Sequence, residues 1–254
     1  MRAGYAWTRQ VEQMLALVLG TNDHNLSKGF LPLEQHRMLE VLGGIEMDAW
    51  IVGRQSKPMH IWATYCRGRQ GIEPVTGLPR PLIDLISQVG RHEDVKEELG
   101  LFIAALPNIR SPAVKHWHCF AVASLLTLQQ SRKKSLTSHD VQVIREMENE
   151  LANLIRELYS DLGPINASAL AWPSFCLGRQ SRSRKNLELV EEVLGRAVPR
   201  VGTSGSWGHG GTPIGAMYRQ WRSDGVDFPP PRGPGPCLQR GLELVDQSFE
   251  VGLW

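Results

Sequence analysis

Between residues 179 and 185 the chain reads RQSRSRK, which places Arg179, Arg182, Arg184 and Lys185 within two helical turns of one another. Clustered guanidinium and ammonium groups concentrate positive potential even on a chain whose formal net charge is +2. The stretch is therefore a candidate nuclear-import or phosphate-contacting patch, with a solvated loop between two helices as the plain alternative. Arg132, Lys133 and Lys134 form a weaker second run. His116 and His118 flank Trp117, but two residues apart on a helix they point about 200° from each other and cannot grip one metal ion. One packed and one exposed histidine is the expectation.

Cys66, Cys119, Cys176 and Cys237 lie too far apart in sequence for a metal knuckle or a redox pair, so free thiols are expected. The chain has no H-E-x-x-H run, no nucleophile elbow and no phosphate loop. Gly202, Gly205, Gly208, Gly210 and Gly211 lack the spacing of a dinucleotide fingerprint and follow no strand pattern. No catalytic residue, cofactor or metal site is predicted. The alternative to a non-enzyme is a helical enzyme or small-molecule binding protein whose pocket is lined by Trp50, Trp62, Trp117 and Trp172.

The elements that would position these residues are helices. Leu82, Ile83, Leu85, Ile86 and Val89 recur at three- and four-residue spacing, behind Pro79 and Pro81, which suit a first helical turn. Residues 92–106 form a second amphipathic pattern, with Val95, Leu99, Phe102 and Ile103 inward. From Val114 to Leu128 so little polar surface remains that the helix must be buried on most sides, with Trp117 and Leu125 in its core. Thr137 and Asp140 fit a capping box for the longest helix, which runs in phase through Val141, Ile144, Leu151, Ile155 and Leu158 to Gly163 and Pro164. A buried helix over residues 167–177, bent at Pro173, and an amphipathic helix over residues 181–198 follow. Shorter patterns span residues 8–19 and 33–43, the second stopped by Gly43 and Gly44. The fold class is all-α. Three regions are expected: an N-terminal helical segment (1–45), a helical regulatory-like domain (46–198), and a flexible Gly/Pro-rich C-terminal region (199–254) with one or two short helices, such as residues 214–221.

The succession GLPRPLIDLISQV, an acidic amphipathic stretch, KHWHCFAVASLLTLQQ, a long helix and ALAWPSFCLG resembles the fungal-specific transcription factor domain, over roughly residues 45 to 228. That domain is the all-helical regulatory region that follows a zinc binuclear cluster in many fungal gene regulators. The Trp172-Pro173 element with Gly178, the helix after it, and Tyr218 to Trp221 with Asp224-Gly225 carry the later part of the match. The six-cysteine zinc cluster usual in the family is absent from this sequence, whose earliest cysteine is Cys66. The resemblance implies a nuclear regulator of a pathway gene set, such as one of secondary metabolism, without its own DNA reader. Its partner would be a DNA-binding regulator or the transcription machinery, and a small-molecule effector is compatible with the family. An inactive truncated regulator is the remaining reading.

Composition agrees with a globular chain: 254 residues, 42% hydrophobic and 21% charged. No apolar stretch approaches the ~18 to 20 residues needed to cross a bilayer, and the short run before Gly20 follows Glu12 rather than a basic segment. Nuclear location and no membrane association are expected. With so little net charge, and no helix-turn-helix, finger or basic-zipper pattern, autonomous sequence-specific DNA binding is not expected.

Overall fold

The computed structural model describes residues 6–20, 32–47, 50–52, 57–91, 93–107, 111–131, 137–162, 164–196, 217, 221 and 251–252. Its elements are α1 (Ala6–Gly20), α2 (Leu33–Ile45), β1 (Ile51–Val52), a π-helical turn (Trp62–Cys66), α3 (Arg80–Gly90), α4 (Lys96–Ala104), α5 (Pro112–Ser131), α6 (Ser138–Leu162), a 3-10 turn (Pro164–Leu170), α7 (Ala171–Gln180), α8 (Arg184–Arg196) and β2 (Val251–Gly252). The chain is all-α. Strand pairing among the described residues is confined to Ile51 with Gly252 and Val52 with Val251, antiparallel, and an isolated antiparallel bridge between Ile72 and Pro79.

Helix α5 lies at the centre. Every residue from Cys119 to Leu126 is buried, because α3, α4, α6 and α7 all pack against it. Leu151 on α6 is fully enclosed and Leu125 nearly so, as the apolar phase of each helix predicts. Trp117 is a correction: it is only half-buried. Its indole N–H needs an acceptor, and it finds the carbonyl of Gly77 at 2.8 Å on the surface. Gly77 supplies that carbonyl from a left-handed backbone conformation with φ of 69°. Lys115 ties α5 to α6 through Glu157 at 2.9 Å and Asp161 at 3.1 Å.

Thr137 and Asp140 make the predicted reciprocal cap. Thr137 N–H donates to Asp140 Oδ2 at 2.8 Å, and Asp140 N–H donates to Thr137 Oγ1 at 3.2 Å. The hydrogen bonds from Thr137 hold the Asp140 carboxyl below its usual range. The segment before Trp172 folds differently from expectation. Residues 164–170 wind as a 3-10 turn and α7 begins only at Ala171, so Pro173 sits in a first turn where its missing N–H has no intrahelical acceptor. It introduces no mid-helix bend. Helix α4 likewise starts later than residue 92, at Lys96.

Gly43 and Gly44 do not stop α2, which continues to Ile45. Gly43 instead permits close approach: a Cβ there would lie 2.9 Å from the backbone nitrogen of Trp62 and 3.0 Å from its Cα. Backbone atoms cannot rotate away, so Gly43→Ala is expected to lower stability by about 1 to 2 kcal/mol, the overpacking cost less the helix-propensity gain. Gly44, with nothing within 4 Å of its missing Cβ, is the internal control and should tolerate alanine or gain from it. Urea unfolding of both variants checks the pair; equal stability would mean that α2 and the 62–66 turn separate freely.

The π-helical turn is further held by α3. Asp84 accepts from Trp62 Nε1 at 2.7 Å and from Gly68 N–H at 2.9 Å. Glu46, at the end of α2, turns inward and accepts from Met59 N–H at 2.8 Å. The ion pair between Glu40 and Arg80 joins the segment expected to end at residue 45 to α3. Met217 and Trp221, within the predicted fragment 214–221, are helical and buried on α7, and Trp221 Nε1 donates to the Gly178 carbonyl at 2.8 Å. The remaining expectations for residues 199–254, and those for Arg132, Lys133, Lys134 and Cys237, fall outside the described residues.

Candidate functional site

The basic stretch divides over two helices and the turn between them. Arg179 occupies the last turn of α7, Arg182 the connecting turn, and Arg184 and Lys185 the first turn of α8; all four are exposed. They do not act as one surface. Arg184 Nε pairs with Glu188 Oε1 at 3.0 Å along its own helix, an exposed arrangement that contributes only about 0.3 to 0.5 kcal/mol. Arg182 lines a cleft of about 430 Å³ between α6 and the α7–α8 turn.

The wall that α6 contributes is a helical stripe. Val141, Ile144, Arg145, Glu148 and Asn149 are spaced at three, four, seven and eight residues, so all five face the same way and line the cleft. Read for apolar phase alone, Val141 and Ile144 look like core. Ile144 is buried, but Val141 remains 45% exposed, at the mouth of the cleft. Arg145 and Glu148 were missing from the predicted site, although the same periodicity contained them.

The opposite wall rests on a buried polar network. Ser181 is fully buried; its Oγ accepts from Asn186 Nδ2 at 3.1 Å and from Ser183 N–H at 3.2 Å, and its hydroxyl donates to the Glu148 carboxylate. Asn186 Oδ1 accepts from Arg156 Nη2 at 3.1 Å, which fixes the amide. Burial raises the Glu148 carboxyl above its usual range, against the opposing pull of Ser181, Arg145 and Arg182. Gln180 Oε1, also on the cleft lining, is buried with no hydrogen-bond partner. A buried acceptor left unmatched costs about 1 to 3 kcal/mol.

The other candidate groups are structural. His116 Nε2 lies 3.2 Å from the Ala169 carbonyl and its ring packs edge-on to Phe120, and burial lowers its pKa, so the ring is neutral and donates to that carbonyl. His118 turns to Glu150 at 2.9 Å. The two histidines therefore diverge as their spacing predicts. Among the described residues no group of three His, Cys, Asp or Glu side chains is arranged to hold a metal ion. Cys66, Cys119 and Cys176 are buried free thiols; burial pushes Cys66 up to about 12 and Cys176 up to about 11, and raises Cys119 as well. None is a thiolate at neutral pH.

The four tryptophans do not frame a common pocket. Trp50 and Trp172 pack against Phe120 in the core, Trp117 bonds to Gly77 at the surface, and Trp62 borders a space of only about 10 Å³. No helix among the described residues is long and apolar enough to cross a membrane. Comparison with family models, with curated proteins and with solved structures yielded no match to the chain.

Proposed function

We propose that the chain is a non-enzymatic regulator of fungal type, working in the nucleus through a protein partner that carries the DNA reader. The observation behind this reading is the order of elements over the stretch that resembles the regulatory domain. A proline-opened helix (α3), an acidic helix (α4), the buried HWHCF helix (α5), a long helix (α6) and the Trp-Pro helix (α7) succeed one another as the resemblance implies. The fold class agrees with it. Support for a protein partner comes from α1 and α2, where Met14, Leu17, Leu33 and Met38 are all at least half exposed.

Two measurements test the proposal. Deleting the gene should change transcript levels of a restricted gene set under inducing conditions, and an unchanged transcriptome would defeat the reading. The purified chain should show no sequence-specific duplex binding at physiological salt, roughly 0.15 M. Its dispersed cations and Arg184–Glu188 pairing leave at most a few phosphate contacts, whose affinity falls steeply with salt. A fluorescence-anisotropy titration that found tight, sequence-discriminating binding would assign DNA recognition to this chain itself.

A further inference from the structure

The cleft between α6 and the α7–α8 turn combines features that a bare anion site would not need. Two guanidinium groups, Arg145 and Arg182, come from different elements and both act on Glu148. A carboxylate within a phosphate site would repel the ligand, so an all-anionic occupant uses this lining poorly. A ligand with both charges uses it fully. Its carboxylate meets the guanidinium pair, and its ammonium donates to Glu148. Val141 and Ile144 supply an apolar wall beside these groups. The volume, about 430 Å³, falls in the range of small-molecule sites.

We propose that this cleft binds a small zwitterion with an aliphatic side chain, either a free amino acid or a dipeptide. An arriving ammonium also offsets the burial that disfavours an ionised Glu148, so ligand and carboxylate stabilise each other's charged forms. The wall is pre-formed, because Ser181, Asn186 and Arg156 hold the α7–α8 turn against α6 through bonds that do not involve the ligand. This site stands apart from the regulatory reading: binding is measured on the purified chain whether or not transcription responds.

The test is thermal-shift and calorimetric titration of the full chain with L-valine, L-leucine, L-leucyl-L-leucine, isovalerate, isoamylamine and inorganic phosphate. At least one zwitterion at roughly 10 mM should raise the melting temperature, with the amino-acid and dipeptide arms separating the two sources. Isovalerate lacks the ammonium and isoamylamine the carboxylate, so each should bind at least about tenfold more weakly. Glu148→Gln should remove the preference for valine over isovalerate, and the exposed Arg145→Gln the preference for leucine over isoamylamine. Phosphate or isovalerate binding as tightly as every zwitterion would reduce the cleft to an anion site and overturn the proposal. No shift with any zwitterion would overturn it equally.

Discussion

Trp172→Ala is expected to lower the stability of the chain by about 3 to 5 kcal/mol, the range for deleting a large, fully buried aromatic side chain. Trp172 is 1% exposed in the first turn of α7. Its ring lies 5.2 Å from Phe120 of α5 and 6.3 Å from Trp50, just ahead of β1. Trp50 in turn meets Phe120 edge-on, 6.1 Å between ring centres at 83°. Three separate segments thus close on one aromatic cluster, and its geometry adds about 0.5 to 1.5 kcal/mol per pair beyond the area buried. Alanine would leave a cavity that neighbouring backbone, anchored in α5 and α7, can fill only partly. Trp172→Phe keeps most of the ring and should cost distinctly less. Urea unfolding followed by far-ultraviolet circular dichroism reads both, and a loss under about 1 kcal/mol for alanine would show that the cluster is peripheral to the fold.

Much of this architecture is legible in the sequence where local rules govern it. The Thr137–Asp140 cap, the phase of α6 and the enclosure of α5 depend on spacings of three and four residues, and periodicity reads such spacings directly. The start of α7 was misread because small apolar residues before Trp172 suit a 3-10 turn as well as an α-helix, and the turn leaves Pro173 unstrained. Gly43 was misread for a related reason. A glycine that ends a helix and a glycine that admits a neighbouring backbone look the same in sequence, and only the approach of Trp62 separates them.

The candidate site was half legible. Arg182 belongs to a conspicuous basic run, but the residues it meets are on α6, more than thirty positions earlier, and their apolar neighbours Val141 and Ile144 dominate the local pattern. Charge density therefore drew attention to Arg184 and Lys185, which face solvent, and away from Arg145 and Glu148. The buried polar network of Ser181, Asn186 and Arg156 leaves no periodic signature at all. The same blindness hides the strongest electrostatic feature of the N-terminal half, whose partners are 29 and 40 residues apart.

That feature is Glu40, and Glu40→Ala should cost about 3 kcal/mol at neutral pH, the lower end for removing one partner of a buried ion pair. Arg80 donates to both carboxylate oxygens, Nε to Oε1 at 2.8 Å and Nη2 to Oε2 at 2.9 Å, while Arg69 Nη1 reaches Oε1 at 3.0 Å. The Glu40 side chain is 5% exposed and that of Arg80 17%, so alanine leaves a largely desolvated guanidinium facing an empty position. Arg80 Nη1 keeps its bonds to the Ile72 and Gln70 carbonyls, which holds the cation in place instead of letting it swing to water. Next to it, burial and then the Arg69 charge lower the pKa of His36, so a neutral ring nitrogen, Nδ1, accepts from Arg69 Nη2. The pH dependence follows from the Arg80 hydrogen bonds, which hold the Glu40 carboxyl below its ordinary range. A depressed folded-state pKa means that the contribution is complete above the unfolded value, about 4.3, and is lost as pH falls through the folded one. The difference between wild type and Glu40→Ala should therefore be largest near pH 7 and shrink in acid, as read by urea unfolding at both ends. Replacing both partners, Glu40→Leu with Arg80→Met, should recover much of the loss, since the main cost of the single change is the stranded charge. A double variant no better than Glu40→Ala would mean that Arg80's bonds to the 70–72 carbonyls, and not its pairing with Glu40, carry the stability of this corner.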